Sequence, residues 1–518
     1  MRDTISDVKV LIFHGYLLRG TGSNVYNASL APALSRLGHD VELLCQDWEA
    51  DGLDWVHQFV GKRGDLVKVN QPDLDLKGRG KVTVHVPDIG EVLPVYVADH
   101  YEGFEAKPFA ELSEAELEHY IDANVAAVRD VAEKAGVDAA LANHLVMGPV
   151  ILARAGLPYA AKIHGSALSY TVRPHPRFLP YAREGMDTAS GVLVGSRHIA
   201  ESLWETLDEP DLPSRTRLGP PGVDTELFAP LPQAQRADRL RELAAEIEGV
   251  GEGGLGRDGA ASAEALEHFA DAEGPRVVFV GKLIVSKGID LLLAAWPLVV
   301  RKNPDARLLL VGFGEYREAT ERLLDALARG DISAAREISA RGRELEGGPA
   351  GRLRMLDSFL AAAPGSYADV ARAAAGSVAL CGRLEHEEVG RLLPACDAMV
   401  VPSTFPEAFG MVAAEAASAG VLPVCADHSG LHEVARALGE ALSPDQRELL
   451  AFGLGDDAIP EIADRLNRWL ALEPDSRSAT AQALSRRVAE LWSWERVARG
   501  VLAASAGRLD ELPGVPQG

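Results

Sequence analysis

The stretch VVPSTFPEAFGMVAAEAASAGVLPVCADHSG, residues 400–430, decides the fold. A short apolar run ends at Pro402, and a turn-rich loop carrying Glu407 follows it. An Ala-rich segment with helical spacing runs from about Phe409 to Ala419 and stops at Gly420. Val421 to Ala426 reads as the next buried parallel strand, which makes the stretch one βαβ unit. Ligands of such units sit at the carboxyl ends of the strands, where PSTFPEAFG lies.

Working outward, the loop brings two carboxylates and an anion site. With a largely helical segment between them, Glu407 and Glu415 stand on the order of 10 Å apart along the axis. That is the scale of a diphosphate with a ring at each end. The amides of Phe409, Gly410 and Met411 are expected at the helix tip, where unpaired N–H groups and the macrodipole favour a phosphate. Gly410 lets that backbone approach a ligand closely. Glu407 taken alone reads as a first-turn acid, worth only ~0.3–1 kcal/mol, and Glu415 as a solvated face. Yet Glu415 lies inside MVAAEAASA, and a carboxylate on so apolar a helix needs a partner.

The string PSTFPEAFGMVAAEA, with its two Glu separated by seven residues, resembles the signature of the retaining family 4 glycosyltransferases, group 1. The resemblance implies an α/β chain of GT-B architecture, two doubly wound Rossmann-like domains facing a cleft. It covers roughly residues 8–230 and 275–505, with residues 1–222 as the acceptor-side domain and 275–480 as the nucleotide-sugar domain. Residues 231–274 read as an inserted helical and flexible segment, about 320–375 as a helical insertion, and 481–505 as a terminal helix crossing back to the first domain.

Composition agrees with an enzyme of this kind. A chain of 518 residues with 47% apolar content fills about two or three cores. A net charge of −24 argues against nucleic-acid or anionic-membrane partners. No run of about eighteen apolar residues appears, and the N-terminus lacks a signal-peptide pattern, so a cytoplasmic protein is expected. Cys45, Cys381, Cys396 and Cys425 have no paired spacing and read as core thiols.

Taken in order, Val8 to Phe13 is an apolar strand leading into HGYLLRGTGSNVY, a glycine-containing loop that opens a helix. Capping by Ser23 or Asn24 would explain those polar residues as well as a ligand would. The resemblance places Gly22 towards the donor diphosphate, Asn24 and His14 towards the acceptor, and His164 of the HG pair near the transferred sugar. Around Val82 to Val86 and Val92 to Val97 the alternation reads as a strand pair, and LGPPGVDTELFAP, residues 218–230, as the domain junction. Lys282 and Lys287 bracket the strand-to-helix loop after Val280, where two cations would neutralise a departing diphosphate. The family usually has Arg at the first of these positions, and Lys lacks the bidentate fork. Gly382, Arg383 and Leu384 form a further loop, which the resemblance implies would cradle the base, and His386 reads as serving the helix that follows.

The implied function is transfer of a sugar, with retention, from a UDP- or GDP-type donor to a hydroxyl of a small polar or glycan acceptor. The Asn-Val-Tyr loop leans towards acceptors such as inositol phosphates. Glu407 would orient the sugar hydroxyls and Glu415 the ribose hydroxyls, with no obligatory metal and no cofactor beyond the nucleotide sugar. The alternatives are a non-catalytic sugar-nucleotide-binding protein of the same fold and a sugar-nucleotide epimerase. A dehydrogenase is more distant, since the opening loop is not G-x-G-x-x-G.

Overall fold

The computed structural model describes residues 8–20, 22–61, 66–68, 78–96, 105–250 and 257–516. The chain divides into unit 1, Met1–Gly222 with Trp492–Gly518, and unit 2, Val223–Leu491. The terminal return therefore begins at residue 492 rather than 481, because helix Pro474–Trp492 runs on from unit 2 before helix Trp494–Ser505 joins unit 1.

Unit 1 contains β1 (Lys9–Phe13), β2 (Asp40–Leu44), β3 (Gln58–Val60), β4 (Leu66–Lys68), β5 (Val82–His85), β6 (Val92–Val95), β7 (Glu105–Pro108), β8 (Ala139–Asn143), β9 (Tyr159–Ile163), β10 (Gly191–Val194) and β11 (Thr216–Leu218). Nine of them form one sheet in the order β11-β10-β9-β8-β1-β2-β5-β3-β4. Its central strands are buried along almost their whole length, as expected of parallel strands covered on both faces. The order reverses between β1 and β8, and in such sheets that switch point is where a ligand crevice opens. The expected pairing near residues 82–97 does not form: β5 lies between β2 and β3, and β6 pairs with β7 in a separate sheet. Alternation marks a strand but not its partner. Helix Trp494–Ser505 packs on helix Ser23–Arg36 and on β8, β9 and β10, with Trp494 edge-on to Tyr26 at 5.4 Å between centroids.

In unit 2, β12 (Arg276–Val280), β13 (Arg307–Val311), β14 (Val378–Gly382), β15 (Ala398–Val401), β16 (Leu422–Ala426) and β17 (Ala451–Phe452) form a parallel sheet. Its order is β14-β13-β12-β15-β16-β17, so the switch point falls between β12 and β15. The loops that follow these two strands carry Lys282 and Lys287 on one side and Glu407 on the other.

Residues 231–274 hold two helices packed into unit 2. Helices Arg236–Glu248 and Gly259–Ala270 pack on each other, and the second also covers β14. Leu240, Leu243, Leu266 and Phe269 are buried, and Ser262 donates through Oγ to the Cys381 carbonyl at 2.5 Å. Both helices are amphipathic, with apolar faces turned inward and charged faces outward. The glycine-rich residues 251–256 lie outside the described ones. All four cysteines are free and buried, and among the described residues no helix is long and apolar enough to cross a membrane.

Candidate active site

The helix of the 400–430 stretch spans Met411–Ser418, two residues later than its apolar spacing suggests. Gly410 caps it in the left-handed region at φ 106°, where a Cβ would also meet Leu431 Cδ2 at 2.5 Å. Phe409 is thus part of the loop, buried beneath Gly430, and its amide does not belong to the helix tip. A glycine in this conformation stops the helix from extending backwards.

Two loops meet at the switch point. Gly288 has φ 66°, and a Cβ there would lie 1.9 Å from the Pro402 carbonyl oxygen, so only glycine lets the backbones approach. Thr404 N–H donates to the Ser286 carbonyl at 2.8 Å. This contact brings the Lys287 ammonium onto the Glu407 carboxylate as a close ion pair, and Ser403 Oγ donates to the same oxygen at 2.7 Å. Burial pushes the Glu407 carboxyl up, but the Lys287 charge and the Lys287 and Ser403 hydrogen bonds outweigh it and hold it below the usual range.

The Glu407 backbone is fixed as well. Its N–H donates to Ser429 Oγ at 2.9 Å, and its carbonyl accepts from Gly430 N–H at 3.0 Å. His428 Nε2 donates to the Ser403 carbonyl at 2.7 Å, which leaves Nδ1 to accept from the Ser429 hydroxyl at 3.1 Å. Sequence reasoning missed Ser403, His428 and Ser429, which hold the loop rather than carry its charge.

Glu415 is buried, and its partner is His386, whose Nε2 donates to Oε1 at 2.9 Å. The imidazole is also packed on the Phe228 ring, 5.3 Å between centroids. Burial pulls the His386 pKa down, but the Glu415 carboxylate raises it above its ordinary value. His386 therefore does more than start helix His386–Leu392; the demand of a buried carboxylate for a partner was the one signal available. Lys282 Nζ lies 5.9 Å from the centroid of the Phe313 ring and Arg383 Cζ 5.6 Å from it, so two cations share one aromatic ring beside the loop after β14. Arg383 also pairs with Glu385 at 3.0 Å, Gly382 ends β14 at φ 77°, and Leu384 is nearly buried.

In unit 1 the switch point holds a polar network. Asn143 Nδ2 donates to the Phe13 carbonyl at 3.1 Å and to Asn27 Oδ1 at 2.9 Å. Asn27 Nδ2 in turn donates to the Ser23 carbonyl at 2.8 Å and to His14 Nδ1 at 3.0 Å. The carbonyl partners orient both amides, and the ring tautomers follow. His14 carries its proton on Nε2, shared between the Leu17 carbonyl at 2.9 Å and Asn24 Oδ1 at 3.1 Å. His164 carries its proton on Nε2, donated to Asn143 Oδ1 at 2.8 Å, so Nδ1 keeps its lone pair.

Burial pushes the His14 pKa down to about 4 and that of His164 well below its usual value, so both rings are neutral. His14 and Asn24 are bonded to each other, and both are buried. Gly22 is the N-cap of helix Ser23–Arg36, with φ 62° and open space where a Cβ would be. His144, which sequence reasoning passed over, packs 4.9 Å from His164 and 4.3 Å from Tyr96 between centroids, and neither ring nitrogen has a hydrogen-bond partner among the described residues.

Two doubly wound sheets, parallel except for the edge pair β3–β4 and each with its polar residues at the switch point, define the GT-B class of glycosyltransferases. The chain belongs to the family of group 1 glycosyl transferases: residues 21–210 match its glycosyl transferase 4-like domain, and residues 274–342 and 371–484 match glycosyl transferases group 1. It is similar to the D-inositol 3-phosphate glycosyltransferase of Frankia alni, 27% identical over 436 residues, 81% of this chain and 86% of the relative. It also resembles the GDP-mannose-dependent alpha-(1-6)-phosphatidylinositol monomannoside mannosyltransferase of Mycolicibacterium smegmatis, 35% identical over 108 residues, 21% of each chain. Among solved structures, Anabaena HepE in complex with UDP and glucose shares the fold, with a TM-score of 0.53 at 16% identity over 98% of this chain and 100% of the other. The chain is a glycosyltransferase.

Proposed function

We propose that the chain transfers a hexosyl unit from a UDP- or GDP-type sugar to a hydroxyl of a small polar or glycan acceptor, with retention at the anomeric carbon. The observation that carries this reading is the Lys287–Glu407 pair, set at the unit 2 switch point in the same loop that leads to the tip of helix Met411–Ser418. The donor diphosphate rests on the first amides of that helix and beside Lys287, with Lys282 and Arg383 adding positive charge. Glu407 orients the sugar hydroxyls, and Glu415, steadied by His386, holds the ribose hydroxyls. The bond from the anomeric carbon to the phosphate oxygen breaks with its electron pair passing to the diphosphate. The acceptor oxygen bonds from the same face, and its proton passes to the departing phosphate oxygen.

On the acceptor side, His164 presents the Nδ1 lone pair to a hydroxyl. An inositol phosphate or a sugar phosphate fits this reading, given the acceptor in the name of the Frankia relative and the Asn24–Tyr26 loop.

Incubation with a panel of UDP- and GDP-sugars and hydroxyl acceptors, read by mass spectrometry, should yield one glycosylated product with retained configuration. Glu407→Gln should lower kcat by about 100-fold or more, because a donor-positioning group sets the reacting geometry. Full transfer by that variant would overturn the reading. Lys287→Ala should weaken nucleoside diphosphate binding by calorimetry as well as turnover. The reaction should run unchanged in EDTA, since protein cations neutralise the leaving group. Donor hydrolysis without acceptor separates this function from mere binding.

A further inference from the structure

Residues 343–370 lie between the two stretches that match the group 1 family. Their first part, the 3-10 turn Arg343–Glu346, is held in a closed loop. Gly342 bridges to Gly351 with φ 52°, where a Cβ would lie 1.7 Å from the Gly351 carbonyl oxygen. Gly348 N–H donates to the Arg343 carbonyl, and Leu353 N–H to the Ser339 carbonyl, each at 2.9 Å. The loop turns one carboxylate inward: the Glu346 side chain is only 9% exposed. Its Oε1 accepts from Arg343 Nε at 3.0 Å, and its Oε2 accepts from the backbone N–H of Val285 at 2.7 Å.

Val285 opens the short turn Val285–Lys287. The first N–H of such a turn has no partner within it, and a carboxylate is the strongest acceptor available. From there the contacts continue: Lys287 N–H donates to the Ile284 carbonyl at 3.0 Å, Ser286 accepts from Thr404, and Lys287 pairs with Glu407. Arg343 offsets the charge that Glu346 brings near a site for an anionic ligand. We infer that Glu346 is a positioning residue for the donor site, its carboxylate fixing from outside the family's matched stretches the turn from which Lys287 reaches Glu407. The inference rests on the function proposed above for that pair.

The test compares Glu346→Ala and Glu346→Gln in the full chain. Gln keeps an oxygen that can accept from Val285 N–H, whereas Ala leaves the amide unpartnered. Hydrogen exchange across residues 283–288 should quicken in the Ala variant and return towards the parent rate in the Gln variant. Affinity for UDP or GDP should fall about tenfold in Ala, with most of it restored in Gln, and the acceptor KM should be unchanged. Unchanged exchange in Ala, or equal acceleration in both variants, would overturn the tie to the turn. A lower melting temperature with parental nucleotide affinity would make Glu346 merely structural and overturn the positioning role. A parent chain that binds neither nucleotide would overturn the donor reading and the positioning role together, while exchange would still decide the tie itself.

Discussion

Glu415 is 4% exposed on a helix whose other buried residues are Ala and Ser, and His386 is the partner that makes its charge tolerable. Because the His386 pKa is raised in the folded chain, the pair's stabilisation is complete below the unfolded value of about 6.5 and is lost as pH rises through the folded value. His386→Ala should abolish that loss, so melting curves of parent and variant should converge at high pH. The same variant leaves Glu415 without its cation and should bind nucleotide more weakly.

Lys162 has the opposite sign. It is buried, donates to the Gly219 carbonyl at 2.5 Å, and burial lowers its pKa to about 7. An unfolded lysine keeps its proton to about 10.4, so this residue makes the chain more stable as pH rises from about 7 towards 10. Lys162→Met should raise the melting temperature most at pH 6 and least at pH 10. Lys287, Glu407 and Glu415 could be singled out because they fall within stretches that resemble the family's motifs, whereas spacing alone left each as readily a surface or capping charge. His386 could not, since nothing in local spacing says which of 14 histidines crosses to a buried carboxylate.

At the scale of elements, close backbone approach sets the proposed donor site. Gly288→Ala would place a methyl against the Pro402 carbonyl and force a strained φ, costing about 1–3 kcal/mol or more. The variant should separate the loops after β12 and β15 and lose nucleotide binding with only part of its thermal stability, read by calorimetry and by melting. Apolar runs and glycine stops made β12, β15 and β16 legible, and alternation made β5 and β6 legible as strands. Which strand pairs with which was not legible, as β5 and β6 in different sheets illustrate. Nor was the role of helices Arg236–Glu248 and Gly259–Ala270, whose many charges outweigh in count the few residues that pack. The network Asn27–Asn143–His164 joins a helix to the ends of two strands, a meeting that exists only once the sheet order is known.

At the scale of the whole molecule, unit 1 is discontinuous: its last helix arrives from the far end of the chain. Trp494 fills the space beside Gly222 and Tyr26, and Ser505 Oγ donates to the Ala140 carbonyl at 2.9 Å. Beyond it, the Pro513 carbonyl accepts from Leu218 N–H at 2.9 Å, adding backbone to the edge of β11. Trp494→Ala should cost about 3–5 kcal/mol in unit 1, read as a lower first transition in urea with the other unaffected. A chain ending at Leu491 should lose that transition outright.

The same return of the chain orders events during synthesis. Most of unit 1 leaves the ribosome early, but the helix that covers β8, β9 and β10 is made last, after all of unit 2. At 5–20 residues per second that interval is roughly 15–50 seconds, during which the nascent sheet keeps an uncovered apolar face. Unit 2 can thus complete its fold before unit 1 has all of its residues.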